Sequence, residues 1–243
     1  MPLPIPKYVQ IPVIQTPTVH YKWDDWNVEE VDLPLDEELQ KRLQSISQRA
    51  VVAFTIATAH WIVYRFGRLS DDPSPGQHLE AAWAQVVHFH YSVHEDINPN
   101  EWSGPVRGPL GTAIRRVKFA IQQAEACGDP PWRAGRAWKL AQHVISDPVP
   151  YRTWCDQIMT RLQKLYPLNS EEKLGEVVPR EALDPDLDFQ IEQTELLVNR
   201  FLRGLNYRAN PFLNSPQQMI EQGFKGTPYV FNIEEDRKAR FEW

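Results

Sequence analysis

Apolar residues in this chain recur at helical spacing. Leu35, Leu39, Leu43 and Ile46 are three or four apart, and Asp36 stands where a helix cap is expected. The pattern is free to run on into the apolar 50–66 segment, where Ala50 to Tyr64 is the longest uncharged run, with Gly67 as its stop. Ser70-Asp-Asp-Pro-Ser-Pro-Gly76 is a strong turn. A second helix is predicted over about 77–97, with a stripe of Leu79, Ala82, Trp83, Val86, Phe89/His90, Val93 and Ile97. Asn98-Pro-Asn and Gly104-Pro105 form the loop after it.

Gly and Pro punctuate the chain from there on. A helix over about 109–127 ends at Gly128, and Asp129-Pro130 supplies a cap and a first-turn proline for a helix to about Ser146. Asp147-Pro-Val-Pro150 opens the next, striped by Tyr151, Trp154, Cys155, Ile158, Leu162 and Leu165. Residues 167–185 are acidic and broken by Gly and Pro. A further helix is predicted over about 186–203, and a short one from Ser215-Pro216 to Gly223. No two-residue alternation persists long enough for a sheet. The fold class is therefore all-α: a single multi-helix domain of seven or eight antiparallel helices, of 12–25 residues each, around the apolar 50–66 helix.

The ends read differently. Prolines at 2, 4, 6, 12 and 17 forbid helix and favour extended backbone, yet the intervening Ile, Val and Leu are too apolar for a disordered tail. The organisation expected is an extended Pro/aromatic-rich arm over 1–34, a helical core over 35–204, and a C-terminal aromatic arm with one short helix over 205–243. The N-terminal arm is expected to lie over this subunit or a neighbour. Trp23 and Trp26, among Tyr21, Asp24 and Asp25, look like an anchoring patch. Nine Trp, eight Tyr and ten Phe in 243 residues supply both core wedges and interface material.

Charge changes the picture. The net charge is −6, which argues against general nucleic-acid or anionic-membrane binding. Ser103 to His143 carries seven Lys/Arg against Glu125 and Asp129, a net +5, which leaves −11 for the rest. Two acidic stretches, Asp24–Glu38 and Glu171–Glu195, hold much of that. The fifteen residues of the uncharged run are fewer than the roughly 18–20 that span a bilayer, so no membrane association is expected. Two cysteines, Cys127 and Cys155, make neither a disulfide framework nor a zinc site, and no secretory signal is visible; a reducing cytoplasm is the natural location.

Candidate chemistry concentrates in His88-Phe-His-Tyr-Ser-Val-His-Glu-Asp96. On a helix His90 and His94 share a face, a geometry that holds a divalent metal such as zinc in helical hydrolases, with Glu95 or Asp96 and a buried His60 to complete it. Tyr91 occupies the position after the first His where zinc proteases carry Glu, so the protease form fails. The alternative is interface histidines hydrogen-bonded to neighbours. Basic residues on two consecutive helices, Arg115, Arg116 and Lys118, then Arg133, Arg136 and Lys139, could align as a phosphate- or nucleic-acid-binding patch, or pair internally with the acidic stretches. There is no Gly-rich phosphate loop, dinucleotide fingerprint or nucleophile elbow.

The leading expectation is a non-catalytic protein–protein interaction protein: a bacterial immunity or adaptor protein whose acidic surface covers a basic site, or a subunit of a homo-oligomer or larger assembly. The residues expected at the interface are Trp23, Trp26, Arg115, Lys118, Arg136 and Lys139. The competing expectations are the metal-dependent helical hydrolase built on His90 and His94, and phosphate binding through the 115–139 basic residues.

Overall fold

The computed structural model describes residues 5–93, 98, 101–126 and 128–239. Among them are ten α-helices: α1 (Glu29–Asp32), α2 (Glu37–Leu43), α3 (Gln48–Arg65), α4 (Ser74–Val87), α5 (Gly104–Glu125), α6 (Pro130–Val144), α7 (Val149–Leu165), α8 (Thr194–Gly204), α9 (Pro216–Glu221) and α10 (Ile233–Ala239). Eight of these have seven or more residues, and the described residues form no strand, so the fold is all-α. Only α3 to α7 reach the lengths expected from the sequence.

The uncharged run makes α3, apolar on every side, and such a helix is stable only when surrounded. It is: α4, α5 and α6 pack around it, and Phe54, Ile56, Trp61 and Ile62 are fully buried. α7 adds Trp154, Ile158 and Leu162 to the same core. No helix among the described residues is long and apolar enough to cross a membrane.

Besides the start of α5 at Gly104, inside the expected loop, four differences from the sequence pattern involve tertiary contacts in place of local ones. α2 does not run on into α3. Ser47 donates its N–H to the Tyr166 carbonyl (2.9 Å) and starts α3 as its cap. The helix expected over 77–97 stops at Val87. His88 is extended, Phe89–Tyr91 is one 3-10 turn, and the Val93 N–H goes to the Phe212 carbonyl (2.9 Å) instead of back along a helix. The helix expected from 186 begins at Thr194. Arg161 donates to the carbonyls of Ala182, Asp184, Pro185 and Leu187 at 2.6–3.3 Å, so that stretch meets its acceptor needs without helical bonds.

The C-terminal section is the fourth difference. It carries two short helices, α9 and α10, and builds a second, smaller core. Leu213, Met219 and Phe231 pack there on Ala84, Val87 and Tyr91 from the α4 end and on Val198 and Leu202 of α8.

The N-terminal arm lies on its own subunit. Val9 and Ile14 are fully buried, worth about 1.5–3 kcal/mol each, and Tyr8 stacks on Trp154 with ring centres 5.3 Å apart. Arg65, the last residue of α3 and wholly buried, donates to the carbonyls of Thr16 (2.8 Å), Thr18 (2.6 Å) and Val144 (3.0 Å). Pro109 lies inside α5 and has no N–H to give the Pro105 carbonyl. The Tyr21 hydroxyl donates to that carbonyl, so a helix defect becomes an attachment point for the arm.

Candidate interaction face

Trp26 is 96% exposed, while every other tryptophan among the described residues is at least partly buried. An indole left in water without structural reason is costly, so its setting matters. The turn that carries it is built in three steps. Trp23 lays its indole over α5 at Gly108, where a Cβ would sit 2.1 Å from the indole nitrogen; only glycine admits it. The same indole N–H donates to Asp25 Oδ1 (2.7 Å), and Asp25 Oδ2 accepts from the Gly104 N–H (2.8 Å) at the start of α5. Asp24 then closes an Asx turn by accepting the Trp26 N–H (2.9 Å), which turns the Trp26 ring outward.

Behind the turn, α1 delivers Asp32 into the body. Asp32 is fully buried and lies between two arginines: Arg136 of α6, at 2.7 Å, and Arg116 of α5. Trp132 covers the Arg136 guanidinium at 4.6 Å. Burial pushes the Arg116 pKa down to about 10 against the pull of Asp32, so it stays charged at neutral pH. A buried carboxylate with one charge partner is marginal; two partners and a ring make the node rigid.

The stretch that carries Trp26 is acidic. Asp24 to Glu38 holds eight carboxylates and no Lys or Arg, and only Asp32 of these is buried. Asp24, Asp25, Glu29, Glu30, Glu37 and Glu38 are exposed. Glu29 touches Arg136 at 3.5 Å with its side chain still largely in water. Asp36 accepts the Leu39 N–H (2.8 Å) as the cap of α2. The result is one exposed aromatic on an acidic stretch that Asp25 and Asp32 fasten to α5 and α6.

The basic residues are engaged in different ways. Arg116 and Arg136 do come together across α5 and α6, as antiparallel packing predicts, and Asp32 occupies both. Arg115 is half-buried and donates to Thr112 (3.2 Å). Lys118 lines a small hollow with His78 and Phe212. Lys139 lines another with Asp36, Glu38 and Arg42. Internal pairing with the acidic stretch, one of the two readings of these charges, is what the buried pair shows.

The histidine cluster is also redistributed. His94, Glu95 and Asp96 lie outside the described residues. His90 sits on a 3-10 turn after the end of α4, so the regular helical face that would pair it with His94 is not present. His90 stacks on His88 with centres 5.0 Å apart and lies in a groove with Phe224 and Val230. His60 lines a different cavity and accepts a hydrogen bond from the Trp83 indole N–H (3.0 Å). Among the described residues no three His, Cys, Asp or Glu side chains are placed to hold a metal ion.

Sequence reasoning picked out Trp23 and Trp26 but missed Asp32. The one available signal was an acid flanked by Val31 and Leu33 inside an otherwise exposed acidic stretch. Compared with protein-family models, with curated proteins and with solved structures, the chain matches none.

Proposed function

We propose that this is a non-catalytic interaction protein whose Trp26 face docks on a basic partner surface. The observation that carries the reading is the exposure of Trp26 on a braced turn, within an acidic stretch that carries six exposed carboxylates. Exposed aromatics ringed by polar residues are the usual energetic centre of an interface, and a preformed turn lowers the entropy lost on binding. The acidic stretch adds steering toward positive charge and discrimination against acidic surfaces. An immunity or adaptor protein that shields the basic active site of a toxin or nuclease is one concrete form of this reading. Docking of the N-terminal arm on its own subunit removes one motive for an arm-exchanged oligomer. Cys155, buried, unpaired and with its thiol pKa pushed up to about 12 by burial, accords with a reducing compartment such as the cytoplasm.

The test places a photo-crosslinking residue at position 26 and, in a second protein, at exposed Val149 on α7. Position 26 is expected to capture a defined basic partner, in a manner lost above about 0.5 M salt, where screening lengths fall to a few ångströms. With that partner purified, Trp26→Ala is expected to weaken binding by at least about 30-fold, the cost of losing a central anchor. Equal capture from both positions, or an acidic partner held at high salt, overturns the reading.

A further inference from the structure

A second candidate site lies along α3. Between the C-terminal half of α3 and the start of α4 is a cavity of about 260 Å³. Its walls are mainly apolar: Val63, Phe66, Leu110 and the ring of Trp83. Such a volume exceeds the roughly 150 Å³ that accommodates benzene in an engineered apolar cavity, so one substituted ring fits.

The states of its ionisable groups are set. His60 Nε2 accepts the Trp83 indole N–H, so the ring proton sits on Nδ1. Burial lowers the His60 pKa to about 3, which keeps the ring neutral at ordinary pH. Trp83 is its only hydrogen-bond partner among the described residues, which leaves Nδ1–H as a donor without an acceptor on the wall of a cavity. An acceptor carried by a molecule in the cavity can take that N–H. The two carboxylates that line the cavity are both engaged. Asp72 pairs with Arg107 (2.9 Å) and accepts from Ser74, and Glu80 accepts from Asn210 (2.7 Å). Among the described residues no Lys or Arg lines it. The cavity therefore offers no unmet charge: its fit is to a neutral molecule, not to a phosphate, a carboxylate or an amine.

We propose that this cavity binds a small uncharged aromatic compound through a carbonyl or ring-nitrogen acceptor that takes the His60 Nδ1–H, with the ring against Trp83. The arrangement follows the usual form of small-molecule sites, an apolar pocket with one or two placed polar groups.

Acetophenone and ethylbenzene have nearly the same shape, and only the first carries an acceptor. Each is titrated into the full chain while the Trp83 indole N–H and the His60 ring nitrogens are followed by NMR. Acetophenone is expected to shift both signals saturably, with a dissociation constant of about 1 mM, an affinity reasonable for nine heavy atoms. Ethylbenzene is expected to bind about fivefold more weakly, the worth of one hydrogen bond. Benzoate, which brings a charge, is expected not to bind. The assignment is overturned if acetophenone leaves both signals unmoved, or if ethylbenzene or benzoate binds equally well.

Discussion

Residues 5–26 and residues 205–239 both wrap the helical body, and they are held by opposite means. The N-terminal arm has too few side chains to make a core of its own. It inserts Tyr8, Val9 and Ile14 into the main core and hands its carbonyls to one buried cation, Arg65. The C-terminal section builds a satellite core and closes it with a neutral amide. Asn214, 1% exposed, donates to the carbonyls of His90 (3.0 Å) and Ser92 (3.2 Å) and to Gln222 Oε1 (3.1 Å), while Tyr229 stacks on Tyr91 at 5.2 Å. The arm is not extended throughout as expected, since Lys7–Val9 and Pro12–Ile14 are 3-10 turns, but the carbonyls of Thr16 and Thr18 beyond them suit a guanidinium, whereas the C-terminal section is closed by an amide. Apparent arms can thus be integral structure by two routes.

The two modes of attachment separate most strongly at Arg65. Arg65→Met is expected to lose about 3–5 kcal/mol, because three carbonyls lose a charged donor in a buried setting. Urea unfolding gives the magnitude, and amide exchange should show residues 7–18 deprotected while the Asn214 region is spared. Equal deprotection of both ends would mean that they are not independent. Asn214→Ala should cost less, about 2 kcal/mol, with the loss of protection confined to residues 205–239.

Acid should also distinguish the two ends. His78 stacks on Phe212 (3.6 Å) and His88 packs edge-on against Phe224 (4.7 Å), both at the seam with the C-terminal section. Burial lowers each to about 4, with Lys118 opposing protonation of His78, and His90 and Arg49 opposing that of His88. Asp72 and Asp236 pull the other way. The unfolded chain takes up these protons near pH 6.5 and the folded one does not. Their contribution is therefore complete above about pH 6.5, falls between pH 6.5 and 4 by at most about 1.4 kcal/mol per pH unit for each histidine, and levels off below. Exchange measured at pH 7.5 and pH 5 should show the C-terminal section loosening ahead of the arm; a uniform response would refute the seam assignment. The smallest effect belongs to Trp26→Ala, expected to change stability by less than about 0.5 kcal/mol, since its ring touches little. A larger loss in thermal unfolding would make Trp26 structural and weaken the interaction reading.

The helical body was legible because amphipathic spacing and Gly/Pro punctuation are local signals: α5, α6 and α7 lie where the stripes and stops place them, each within a few residues. Trp26 was legible as a candidate, since an aromatic among acids stands out in any conformation. The histidine cluster shows where local reading fails. The apolar stripe of α4 continues in sequence past Val87, but the backbone leaves the helix there; Val93 of the stripe is exposed, and Tyr91, which lies off the stripe, packs into the second core.

The all-α class, the central place of the uncharged 50–64 run and the absence of α-helix in the proline-rich start were all written in the residue order, because they depend on backbone chemistry and the period of apolar residues. Tertiary packing alone settled that Asp32 neutralises Arg116 and Arg136, that Arg65 and Asn214 fasten the two ends, and that His60 faces a cavity. Those outcomes depend on which distant groups meet in a medium where an unpaired charge or donor is costly, and spacing along the chain does not record it.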